Sequence, residues 1–351
     1  MKHITVFKNV RSLAVLFTVA VMVLGAALPV VAESLPGEGV TVRPGRPTWS
    51  TDYILEAIYS RALEDLGYTV EDPKTVSNPI FYQSLMNGDM EYWASGWFPI
   101  HNEQLPKNFE EKASICGTII NRKAVQGYLV SKKDAEKYNI KTIEDFKRSE
   151  VMEAFDDNGD GKADLVACPP GWGCEKMISY HMEVYDLEDY VNTIEAGYSA
   201  SMADALARYN SGEPVFFYTW TPNWTVNRFK PGEDVVWIGV PELTPAPSQE
   251  GMEEAMIQEG LKGAVASPLK MGWIASSIQV VANNEFLENN PAAAKIFEVM
   301  SIPIEDVSAQ NELMYSGEDS EDDIERHATQ WIEKNIKKWQ KWQAQARQAA
   351  K

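Results

Sequence analysis

The segment ACPPGWGCEK, residues 167–176, places a single tryptophan, Trp172, inside a loop closed by Cys168 and Cys174. Proline and glycine between the cysteines can fold the loop back on itself, which makes these two the natural disulfide pair. A bridge across so short a loop adds only modest chain-entropy stabilisation; its expected role is local rigidity. Further tryptophans stand at strand ends or in proline-containing loops: Trp97 in SGWFPIH, and Trp220 and Trp224 in YTWTPNW. Several indole faces around one space suit a quaternary ammonium group. Such a group donates no strong hydrogen bond, and it gains from cation–π attraction and from apolar burial of its methyls. An ordinary hydrated ammonium would lose hydrogen bonds there without replacement.

The other half of such a ligand calls for an anion site. Gly173 and Cys174 lie where the loop enters the helix EKMISY, so their backbone N–H groups are expected to face a carboxylate. His101, four residues after Trp97, can donate another hydrogen bond. The disulfide would then hold Trp172 against the cation and the adjoining N–H groups against the anion, preorganising both contacts. For any one of these rings, ordinary packing in a loop is the competing explanation. Three separate loops each presenting one favour a shared site.

Catalytic machinery is harder to find. The chain has no HExxH, GxSxG, CxxC or P-loop pattern, and His101, His181 and His327 are far apart in sequence, which argues against an enzyme. DDNGDGKADL sets Asp156, Asn158, Asp160, Gly161 and Asp164 at the first, third, fifth, sixth and ninth places of a calcium loop. The twelfth place holds Ala167 where the bidentate glutamate belongs. An Asx-rich turn is the expected reading and a structural calcium ion the alternative. No other cofactor is expected.

The elements that must position these residues alternate between helix and strand. In STDYILEAIYSRALEDLG, Ile54, Ile58, Ala62 and Leu66 recur every four residues, with Ser50 or Thr51 as cap and Gly67 as stop. MEYWASGW, QGYLV, PVFFYTW, VVWIGV and SSIQVV read as strands, and EKMISYHMEVYDL and SMADALARYNSGE as helices. The pattern predicts an α/β architecture, in which ligands sit beyond the carboxyl ends of strands. Residues from Glu318 to Gln348 read as one amphipathic tail helix, with Ile324, Ala328, Trp331, Ile332, Ile336 and Trp339 on its buried side. Cys116, in ASICGTII, reads as a buried thiol.

Length and charge set the frame. Residues 1–32, with Lys2, Lys8 and Arg11 ahead of a long apolar run ending in Val30-Val31-Ala32, read as a cleaved signal peptide; an uncleaved anchor is the alternative. The remaining chain is long enough for two domains. Its 51 acidic residues outnumber 32 basic ones, for a net charge of −19, so nucleic acid and anionic lipid are poor partners.

With GYTV, GWFPIH, QGYLV, FDDNGDGKADL, CPPGWGCE, PVFFYTWTPNW, PGEDVVW and NPAAAKIFEVM in one exported chain, the sequence closely resembles the periplasmic glycine betaine/proline betaine-binding proteins of osmoprotectant ABC importers, the ProX type. The resemblance implies a two-lobed, type II-like binding protein, monomeric, that closes on a zwitterionic quaternary ammonium ligand and docks to a membrane permease. It implies an aromatic cage of Trp97, Trp172 and Trp220 and carboxylate contacts from His101, Gly173 and Cys174. The Cys168–Cys174 disulfide belongs to the same pattern. Trp49, Trp93 and Trp224 are additional aromatics without an assigned role. The expected lobes are residues 33–128 with 245–351, and 129–244. Choline, carnitine and dimethylsulfoniopropionate remain competing substrates, and a structural or adaptor domain is the competing class.

Overall fold

The computed structural model describes residues 34–351; the signal-peptide reading of residues 1–32 lies outside them. Eight strands form the two larger sheets, and three two-stranded pairs accompany them among the described residues. In chain order the eight are β1 (Tyr92–Phe98), β2 (Ala113–Ala124), β3 (Gln126–Ser131), β4 (Ala163–Val166), β5 (Val191–Ile194), β6 (Phe216–Trp220), β7 (Val235–Ile238) and β8 (Ser276–Asn283). Eight helices matter to the site and the core. They are α1 (Tyr53–Glu64), α2 (Asn78–Asn87), α3 (Gly173–Val184), α4 (Tyr198–Asn210), α5 (Pro291–Val299), α6 (Ile304–Tyr315), α7 (Glu321–Lys334) and α8 (Ile336–Ala349).

The first sheet is antiparallel, in the order β1-β8-β2. The second has the order β7-β3-β6-β4-β5, with β3 alone running against its neighbours. Helix α3 carries the chain from β4 to β5, and α4 from β5 to β6. These two crossovers bring the carboxyl ends of β4 and β6 side by side, since Phe217 pairs with Val166. Ligand sites form at such ends. Both sheets belong to one compact unit, Leu35–Lys351. None of its helices is long and apolar enough to cross a membrane.

Two local expectations fail, for physical reasons. The tail is two helices, because Asn335 leaves helical geometry at φ −107° and ψ 19°. The break resets the helical phase, so Ile336 is exposed while Trp339, Trp342 and Ala346 turn inward. In addition, neither Ser50 nor Thr51 caps α1, whose first flanking residue is Asp52. Those residues form a 3-10 turn, Ser50–Asp52, and the Thr51 and Asp52 side chains serve the site described next.

Candidate functional site

Trp97 and His101 come from the end of β1 and the turn after it, and Trp172, Gly173 and Cys174 from the β4–α3 connection. With Trp220, the last residue of β6, they line one common pocket. Trp224 does not belong to it. Its ring stacks on Tyr315 of α6 at 4.3 Å. The residue that sequence reasoning left unassigned is Trp49, which lines the pocket with the other three indoles. Trp93 lies behind them, fully buried, with its ring 5.7 Å from that of Trp49.

The cysteine loop is bridged as expected, Cys168 to Cys174, with Cα atoms 6.0 Å apart. Gly171 has φ +89°, a conformation that favours glycine, and its carbonyl accepts from Gln104 at 3.1 Å. This reversal delivers Trp172 to the pocket, where its ring meets Trp49 edge-on at 5.4 Å and Trp220 at 5.5 Å. Interplanar angles of 72° and 80° mean that the rings form walls and do not stack.

Every indole N–H of the four is already taken, and by one segment. Trp172 Nε1 donates to Thr48 Oγ1 at 2.7 Å and Trp220 Nε1 to Thr51 Oγ1 at 3.4 Å. Trp49 and Trp97 both donate to Asp52 Oδ2, at 2.9 and 2.7 Å. Thr48, Thr51 and Asp52 are not among the pocket-lining residues. The pocket therefore presents indole carbon on these walls and no free indole donor.

The anion side is built differently. Helix α3 starts at Gly173 without a side-chain cap, so its first N–H groups, at Gly173 and Cys174, are left for an outside acceptor. His101 packs so closely that a Cβ on Gly173 would lie 3.0 Å from His101 Cδ2. Burial pushes the His101 pKa down to about 3, so the ring is neutral. Its Nδ1 accepts from the Trp97 backbone N–H at 3.2 Å and lies 2.8 Å from Tyr82 Oη. The ring proton therefore sits on Nε2, which faces the Asn78 side-chain amide at 3.1 Å. Asn78 Nδ2 is itself a donor, bonded to Gln104 Oε1 at 2.7 Å, so it offers the Nε2–H no acceptor.

Residues 40–334 match the family model described as the substrate binding domain of ABC-type glycine betaine transport systems, OpuAC. The chain belongs to that family. Its members are transport components and not an enzyme class. The glycine betaine-binding periplasmic protein OusX of Dickeya dadantii is 39% identical over 326 residues, covering 91% of this chain and 94% of that protein. The glycine betaine/proline betaine-binding periplasmic protein of Escherichia coli is 39% identical over 320 residues, with the same coverage of 91% and 94%. Among solved structures, lactococcal OpuAC in its closed form with glycine betaine superposes with a TM-score of 0.65 at 17% identity, covering 86% of this chain and 99% of that one. The OpuAC-family fold is thus the two-lobed binding-protein fold.

Two other residue groups singled out in the sequence stand apart from this site. In the acidic loop, Asp156 accepts from the N–H groups of Gly159, Asp160 and Gly161, and Asp164 from those of Asp157 and Asn158. The Asp156 contacts are local turn bonds, those of Asp164 close the loop from its far end, and no group of three or more ligating side chains gathers among the described residues. Cys116 is half-buried in β2, its thiol directed at the Val280 carbonyl at 3.5 Å and its pKa pushed up to about 12 by burial.

Proposed function

We propose that this chain is the exported, periplasmic receptor of its importer and that it holds glycine betaine between the four indoles and the start of α3. The trimethylammonium group sits among Trp49, Trp97, Trp172 and Trp220. The carboxylate sits on the N–H groups of Gly173 and Cys174, with the Nε2–H of His101 alongside. One observation carries this reading: all four indole N–H groups are bonded to Thr48, Thr51 and Asp52. A head group that needs acceptors or donors finds none on those walls, whereas an onium group needs neither. Each ring face contributes about 0.5–2 kcal/mol of cation–π attraction.

A zwitterion fits better than a simple cation because the uncapped helix start is left for an anion. Proline betaine keeps both charges and the quaternary nitrogen, so it is the expected second ligand. Trp97 lies in β1 of the antiparallel sheet and Trp49 ahead of α1, whereas Trp172 follows β4 and Trp220 ends β6 of the mixed sheet. We take the two sheets as the cores of the two lobes. A ligand that needs walls from both favours the closed form, and that form is what the permease recognises. The protein acts as a monomer.

Calorimetry with the mature, oxidised protein tests this directly. Glycine betaine is expected to bind in the micromolar range or tighter, weakening stepwise through dimethylglycine to glycine. Equal affinity for glycine betaine and glycine would refute the cage. A response only to choline, carnitine or dimethylsulfoniopropionate would keep the receptor and change its substrate.

A further inference from the structure

Asp52 is fully buried at the junction of two cage walls. Its Oδ2 accepts hydrogen bonds from Trp49 Nε1, Trp97 Nε1 and the Ser95 hydroxyl. Its Oδ1 has no hydrogen-bond partner. No lysine or arginine forms an ion pair with it among the described residues, and its charge environment contains only hydrogen bonds and burial. A buried carboxylate normally has a paired cation or holds a proton. Three N–H and O–H donors converge on Oδ2, an arrangement that favours the ionised form at that oxygen. Burial acts in the opposite sense, raising the pKa of this carboxyl above its usual range. The positive charge that the protein does not supply is the one an onium ligand brings.

We propose that ionised Asp52 is the countercharge of the bound onium group, acting from behind Trp49 and Trp97, and that it makes the pocket select a cationic head group over a neutral one of the same shape. This rests on the cage reading above. Two effects run in the same direction. The carboxylate attracts the cation through a region of low dielectric. It also polarises the two indoles by accepting their N–H groups, which makes the ring faces more negative. Charges then alternate along the site: Asp52 carboxylate, ligand onium, ligand carboxylate, helix start. Asp52 touches no ligand atom in this arrangement; it is a positioning and specificity-determining residue.

The test uses 3,3-dimethylbutanoate, in which a tert-butyl carbon replaces the ammonium nitrogen of glycine betaine and the carboxylate is kept. Calorimetry of the wild-type protein and Asp52→Asn is run with both ligands. Asparagine can place its oxygen where Oδ2 accepts and its amide where Oδ1 is unpartnered, so the indoles keep their partners. Glycine betaine affinity is expected to fall about tenfold in Asp52→Asn while the isostere changes less than about twofold, as expected for loss of a charge at low dielectric. Equal losses for both ligands would reduce Asp52 to a structural role, and an unchanged glycine betaine affinity would also overturn the proposal. Wild-type protein that binds the two ligands equally, or neither, would instead refute the cage reading itself. If Asp52→Asn does not fold, Asp52→Ser gives the same ratio. The wild-type protein offers an independent readout, the indole 15N–1H spectrum with glycine betaine bound at neutral pH. With the resonances assigned by single tryptophan-to-phenylalanine substitution, Trp49 and Trp97 N–H signals shifted downfield of those of Trp172 and Trp220, which donate to threonine hydroxyls, support an ionised acceptor; no such difference overturns it.

Discussion

The pocket tryptophans and those of the C-terminal helices are equally buried, yet they do different things. Trp331, Trp339 and Trp342 are 3–8% exposed and Trp49, Trp97, Trp172 and Trp220 are 4–7% exposed. Indole N–H groups find carboxylates in both places: Trp331 donates to Asp306 and Trp339 to Asp65, each at 2.8 Å. What differs is ring geometry and the setting of the acid. Trp331 and Trp342 lie nearly parallel, at 12°, within the packing of α7 and α8, whereas Trp172 meets its neighbours at 72° and 80° and the rings enclose a space. Asp65 is exposed and Asp306 half-buried, while Asp52 is sealed. Burial and a satisfied N–H therefore do not distinguish a packing tryptophan from a binding one. Perpendicular walls around unfilled volume do.

Truncation should separate the two groups most strongly. Trp172→Ala removes a wall between two others and is expected to weaken glycine betaine binding by about 100-fold or more, as buried aromatic anchors do. Trp339→Ala is expected to cost about 3–5 kcal/mol of stability with the dissociation constant unchanged. Paired calorimetry and denaturant unfolding measure both. A Trp339→Ala chain that folds but binds poorly would erase the distinction.

Next in size is the anion side, where geometry is tightest. An alanine Cβ at position 173 would lie 3.0 Å from His101 Cδ2 and 3.3 Å from Ile100, closer than relaxed packing allows. Gly173→Ala is expected to lower affinity about tenfold by pushing His101 and the helix start apart, since a small misplacement of contact groups is costly. Choline, which has no carboxylate to lose, should be affected less. A similar loss for both ligands would place the damage in the cage.

The disulfide should matter less than the contacts it aligns. Closing so short a loop is worth about 2 kcal/mol at most through chain entropy. Cys168→Ser with Cys174→Ser is expected to reduce affinity about fivefold and to raise the mobility of Trp172, readable as lower fluorescence anisotropy. Unchanged affinity would mean that Thr48 and Gln104 hold the loop without the bridge.

These regions were not equally legible in the sequence. Trp97, Trp172 and Trp220 announced themselves because each sits at a strand end or in a Pro/Gly loop, where a large ring has no helix or sheet face to cover. Trp49 did not, since it precedes a polar Ser-Thr-Asp run that looks like the start of a helix. The run has the composition of an N-cap because caps and indole acceptors need the same thing, a short side chain with an oxygen. Only the tertiary fold shows that Thr48, Thr51 and Asp52 face four indoles instead of the first turn of α1. Trp224 misled for the converse reason. Its sequence neighbours match those of Trp220, but the chain turns after Pro222 and sends the ring to Tyr315. The helix break at Asn335 was hidden because the apolar spacing of each half is regular and only their phases disagree.

The threonines give the finest discrimination between a tied indole and a free one. Thr48 accepts from Trp172 at 2.7 Å, Thr51 from Trp220 at 3.4 Å, and a net hydrogen bond is worth about 0.5–1.5 kcal/mol when short and well aligned. Thr48→Val is expected to lower glycine betaine affinity about threefold and Thr51→Val less than twofold, both preserving the order trimethylated, dimethylated, unmethylated. The sign matters more than the size. If the Trp172 N–H is diverted from the ligand by Thr48, freeing it adds an unpaired donor beside a cation and affinity falls. If that N–H instead serves the ligand carboxylate, removing its competitor strengthens binding, and the separation of the pocket into carbon walls and a helix-start anion site fails at Trp172.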